Sequence, residues 1–83
     1  MAGVDRIVEM MRANSYGIRF DDLAKVCRHY FGEPRQRGSH LFFKMPWAGK
    51  PLVNIQNHRG NAVGYQVRQV LAAIDNLQRI DHE

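Results

Sequence analysis

Arg35-Gln36-Arg37-Gly38-Ser39-His40-Leu41-Phe42-Phe43-Lys44 is where the chain changes its period. Before this stretch apolar residues recur at helical spacing; within it they follow a strand. Along an extended run Leu41, Phe43 and Met45 fall on one side, and His40, Phe42 and Lys44 on the other. Gly38 and Ser39 stand just before that run, where the chain bends easily or lets another backbone come close. Pro34 to Arg37 reads as a short edge strand, so Arg35 and Arg37 leave it on the same face. His40 is thus a titratable group on a rigid element, with two guanidiniums a few residues away. That combination suits a site that grips a phosphodiester and moves protons around it.

Outward from this stretch the elements follow in order. Towards the N-terminus, Leu23, Val26, Cys27, Tyr30 and Phe31 form a helical stripe that predicts a helix over about Phe20 to Tyr30. Asp21 and Asp22 suit its positive end, Arg28 and His29 its negative end, and Gly32 with Pro34 stops it. Asn14-Ser15-Tyr16-Gly17 is turn chemistry, and Val4, Ile7, Val8 and Met11 predict an amphipathic helix over about Asp5 to Ala13. Towards the C-terminus, Pro46-Trp47-Ala48-Gly49-Lys50-Pro51 reads as a hairpin loop and Leu52 to Gln56 as the next strand. There Val53 and Ile55 point one way, Asn54 and Gln56 the other. Asn57 to Gly64 is a polar connection. Val63, Val67, Val70, Leu71, Ile74 and Leu77 mark a final helix to about Ile80, with Asn61 as its expected N-cap. The order helix, helix, strand, strand, strand, helix predicts an α+β fold of two layers, a three-stranded antiparallel sheet packed on helices.

The 83 residues make one small domain with a modest core. The single cysteine, Cys27, offers neither an internal disulfide nor a metal-ligand spacing, and its place on an apolar stripe makes it a core residue. The first residues lack a signal pattern and no apolar run reaches membrane-spanning length, so a reducing cytoplasm is the expected compartment and no membrane partner is expected. Charge is more informative by position than in total. The net charge is +4, yet between Pro34 and Ile74 there is no carboxylate. That span carries Arg35, Arg37, Lys44, Lys50, Arg59 and Arg68, with His40 and His58. Such segregation points to a polyanion, most commonly a nucleic acid.

The same segregation shapes the chemistry. A metal-dependent nuclease holds its ions with carboxylates or clustered His and Cys side chains. None stands beside this stretch, and His40 with His58 is too small a set for zinc, so neither metal nor cofactor is expected. A metal-free route is open for RNA, whose 2′-OH can attack its own phosphate once a base takes its proton. His40 is the candidate base or acid, with Arg35 and Arg37 as candidate phosphate ligands. Ser39 either orients His40 or accommodates the bend. His58 is either a second acid/base group or a surface residue. Trp47 has three readings: stacking on a base, covering a partner's apolar surface, or folding back onto the core.

Gly38-Ser39-His40 with Phe43, followed by Val53-Asn54-Ile55-Gln56-Asn57-His58-Arg59-Gly60 and Gly64, resembles the HicA toxins, small ribonucleases of toxin–antitoxin pairs. The resemblance covers about residues 20–77 of the 83 and leaves the helical segment over about 4–14 as an extension. It departs in two places: Gln56-Asn57 stands where many members have a proline before the histidine, and the Pro46-Trp47 loop is more apolar than usual. The resemblance implies a fold like the double-stranded-RNA-binding domain and a metal-independent mRNA endoribonuclease that inhibits growth, with His40 catalytic and Arg35, Arg37, Ser39 and Lys44 at the RNA. It also implies a HicB-type antitoxin that binds the toxin and blocks its site. Two further classes share the same features: a non-catalytic RNA-binding module of this fold, and a protein-interaction domain whose basic face meets an acidic partner.

Overall fold

The computed structural model describes residues 3–47 and 52–81. Helix α1 (Val4–Ala13) and helix α2 (Phe20–Phe31) come first, then strands β1 (Arg35–Arg37), β2 (His40–Lys44) and β3 (Leu52–Gln56), then helix α3 (Gly64–Asp81). The protein is therefore α+β, with a three-stranded antiparallel sheet in the order β1-β2-β3. Helices α2 and α3 pack on the sheet, while α1 packs on α2 and α3. No helix of the described residues is long and apolar enough to cross a membrane.

One core joins these elements. Leu41, Phe43 and Ile55 from the sheet are buried with Leu23, Val26 and Cys27 of α2 and Val67, Val70 and Ile74 of α3. Ile7 and Met11 of α1 belong to the same cluster. The alternation along β2 explains this split, because a period of two sends every second side chain to the helices. Residues 48–51 of the loop read from Pro46 to Pro51 lie outside the described part.

Two tight turns sit at one end of the sheet. Arg37 and His40 are paired, leaving Gly38-Ser39 as a two-residue connection with Gly38 at φ 58. Positive φ at the first central residue alone is the type II′ pattern, which glycine accommodates without steric cost. Beyond β3, the His58 and Asn61 backbones exchange two hydrogen bonds, each of 2.9 Å, around Arg59-Gly60. This small hairpin replaces the plain polar connection expected there. It also corrects the expected cap: α3 begins at Gly64, three residues past Asn61, whose backbone is committed to the hairpin and to a bridge with Arg19. The hairpin in turn serves α2, because the Phe20 N–H donates to the Gly60 carbonyl at 3.0 Å. One unsatisfied donor of a helix start is thereby met, where no side chain caps it.

Gly64 opens α3 for a steric reason. A Cβ there would lie 2.5 Å from a ring carbon of Tyr16. The Arg68 guanidinium stands over the other part of this contact, 5.7 Å from the Tyr16 ring centre, and donates to Ser15 Oγ at 3.0 Å. The turn after α1 is thus fastened to the first turns of α3.

Candidate functional site

Register decides which side chains share the face of the sheet that the helices leave open. Arg35 stands opposite Phe42, and Arg37 opposite His40. Across the other ladder His40 stands opposite Gln56, and Phe42 opposite Asn54. Opposed residues project to the same side, so Arg35, Arg37, His40, Phe42, Lys44, Asn54 and Gln56 share one surface. Arg35, Arg37 and Lys44 are exposed and His40 is half-buried. No strand carries a carboxylate, and neither Arg35 nor Arg37 forms an ion pair among the described residues.

His40 is held from two sides. Its Nδ1 lies 3.0 Å from Asn54 Oδ1, a diagonal contact between β2 and β3. An amide oxygen only accepts, so Nδ1 is the donor, and in the neutral ring Nε2 is then the nitrogen that carries the lone pair. The Phe42 ring lies near-parallel to the imidazole, with centroids 6.0 Å apart and planes at 18°. An oriented neutral imidazole, with Arg37 opposite it and Arg35 and Lys44 on the same face, can take a proton from a hydroxyl beside a bound phosphate.

No family model, curated protein or solved structure matches this chain.

The other sequence-predicted residues scatter around this face. Ser39 sits in the II′ turn on the helix side. With Phe20, Gln36, Gly38, Leu41 and Asn57 it lines an open cleft of about 180 Å³. The bond to His40 comes from Asn54 and not from Ser39. His58 is exposed at the base of the second hairpin, and among the described residues its side chain makes no hydrogen bond to His40. Trp47 is half-buried and packs against the core. Burial pushes the Cys27 thiol up to about 12, so it stays protonated and unreactive at neutral pH. No three His, Cys, Asp or Glu side chains of the described residues gather as a metal-ligand set.

Two polar residues were not singled out from the sequence. Asn54 carries the contact that orients His40, and only its alternation with Val53 and Ile55 marked it as facing away from the core. Gln66 is 2 % exposed on α3, and its Oε1 accepts the Gln56 backbone N–H at 2.8 Å. It thereby meets a ladder donor at the outer edge of β3, beside the site, which would otherwise be left without a partner. Its signal was a glutamine beside Val67 on an apolar stripe.

Proposed function

We propose that this chain is a HicA-type toxin, a metal-independent ribonuclease that cuts mRNA and is neutralised by a HicB-type antitoxin. One observation carries the proposal. The His40 Nδ1 is tied to Asn54 at 3.0 Å on a carboxylate-free face that it shares with Arg35 and Arg37. In the proposed reaction Nε2 takes the proton of a ribose 2′-OH, and that oxygen attacks the adjacent phosphorus. A cyclic 2′,3′-phosphate forms as the bond to the 5′-oxygen breaks. The leaving oxygen takes up a proton from the imidazolium or from water. Arg35, Arg37 and Lys44 hold the phosphate and offset the charge that builds on it.

A second function is favoured by a separate observation. General acid–base cleavage works best with two groups, yet no second titratable side chain bonds His40 among the described residues. A non-catalytic RNA-binding module would need only the cations and the stacked ring of Phe42.

Cleavage of a defined mRNA by the purified protein, with and without chelator, separates the two. The wild-type protein is expected to cut in both conditions. His40→Ala should lower the rate by roughly 10²-fold or more while far-ultraviolet circular dichroism is unchanged. Full activity in a folded His40→Ala protein would refute the role of His40. Activity lost in chelator and restored by added metal would overturn the metal-free route. Salt-dependent RNA binding without cleavage by the wild-type protein would establish the binding module instead.

A further inference from the structure

Arg59 is the one non-glycine residue at positive φ among the described residues, at φ 53, followed by Gly60 at φ 87. Successive left-handed residues between His58 and Asn61 make a type I′ turn, for which asparagine, aspartate or glycine is favoured at the position Arg59 holds. A long cationic side chain there is a poor choice for the turn itself. The backbone around it is firmly tied. Gly60 N–H donates to Asn57 Oδ1 at 2.7 Å, and Ala62 N–H donates to the Ile18 carbonyl at 2.8 Å.

A second guanidinium lies against the same turn. Arg19 Nη2 is 3.3 Å from where a Cβ on Gly60 would be. Asp21 and Asp22 follow Arg19 in the chain, yet neither pairs with it, and Arg59 likewise has no carboxylate partner among the described residues. Arg59 in the turn and Arg19 against it thus both lack an ion-pair partner among the described residues, an arrangement that a bound anion relieves. The turn is also continuous with the His40 site, because the Asn57 N–H donates to the Ser39 carbonyl at 2.9 Å. The two hairpins therefore lie side by side, Arg37 and His40 flanking one and Arg19 and Arg59 at the other.

We propose that the Arg59-Gly60 turn, with Arg19, is a second phosphate-binding point on the RNA strand whose scissile phosphate lies at His40, an inference that rests on the RNA site proposed above. Arg59 keeps an unfavourable backbone conformation because its guanidinium serves the RNA and not the fold.

The proposal predicts opposite signs for stability and binding, which a structural role would not produce. Arg59→Asn and Arg59→Gly place turn-favoured residues at this position, so both should melt roughly a few degrees higher than the parent. In a His40→Ala background, where nothing is cut, both should bind a single-stranded RNA more weakly, with the slope of log K against log salt shallower by about 0.7. Arg59→Lys should restore the slope. Arg59→Asn that leaves affinity and slope unchanged, while Arg37→Ala flattens the slope, would overturn this second point and leave the His40 site standing. No RNA binding by the parent would overturn both. Binding of polyglutamate with the same steep dependence on salt and on Arg59 would reassign the turn to an acidic polypeptide.

Discussion

The two faces of the sheet are built from the same fifteen-odd ångströms of strand and do opposite work. Towards the helices stand Leu41, Phe43 and Ile55, all buried, with Val53 packed against them. Towards the open side stand Arg35, Arg37, His40, Phe42, Lys44, Asn54 and Gln56. Consecutive residues along β2 therefore answer to different demands: Phe43 to the exclusion of water, His40 and Lys44 to what water may bring. The contrast teaches that substitutions should sort by parity along the strand and not by nearness in sequence. It also explains how a small domain keeps uncompensated cations, since the packed face and not the charged one supplies stability.

The hardest test of the contrast compares residues three apart on β2. Phe43 is fully buried, so Phe43→Ala should cost about 3–5 kcal/mol, a large part of the stability of a domain this size. His40→Ala loses one half-buried hydrogen bond and should cost about 1 kcal/mol. Thermal denaturation should show a much larger drop for Phe43→Ala. Equal drops would mean that the open face also carries the fold, and would weaken any use of His40→Ala as a folded, inactive protein.

How much of this was legible follows from how local each cause is. Alternation through Leu41, Phe43 and Met45 and the helical stripe through Leu23, Val26 and Cys27 are periods within single elements, and the observed elements follow them. Gly32 as a stop was equally local, and its φ of 86 shows why glycine stands there. The Asn54 contact to His40 depends on the register between β2 and β3, which no residue in either strand announces. Arg59 gave no sign of its positive φ, because arginine is not a residue that marks a I′ turn. Asn61 looked like a helix cap because it precedes an apolar periodic run, but its backbone was drawn into pairing with His58 and Arg19. At the site, the positions of Arg35, Arg37 and His40 were readable from parity, while the group that orients His40 was not.

A smaller effect sharpens the charged side of the contrast. Arg37 is exposed and directly opposite His40, so Arg37→Ala should change stability by no more than about 0.5 kcal/mol. In a His40→Ala background it should weaken RNA binding and flatten the salt slope by about 0.7, the loss of one phosphate contact. If it also weakens a complex with the antitoxin proposed above, RNA and that partner would compete for this face. Unchanged RNA affinity and slope would remove Arg37 from the site.

The last effect lies between α1 and α3, where charge should act on stability alone. Arg12 of α1 donates to Asp75 of α3 through Nη2 at 2.7 Å and Nη1 at 3.4 Å. This hydrogen bond, more than the accompanying attraction, holds the Asp75 carboxyl below the usual carboxylate range. A depressed value in the folded state means stability that is present above the ordinary aspartate pKa near ~3.9 and lost as pH falls through the lower folded value. Both side chains are about half exposed, 46 % and 56 %, so solvent screens the pair and its worth is about 0–1 kcal/mol. Asp75→Asn should therefore lower the melting temperature at neutral pH by at most roughly 6 °C. The difference from the parent should shrink in high salt and vanish in strong acid, where the parent's own Asp75 is protonated. RNA affinity and its salt slope should not move, because Asp75 lies on α3, paired with Arg12 of α1, and not on the strands that carry Arg37 and His40. A melting difference that persists in strong acid would trace the effect to packing instead of charge, and a changed salt slope would show that phosphate is also read where α1 meets α3.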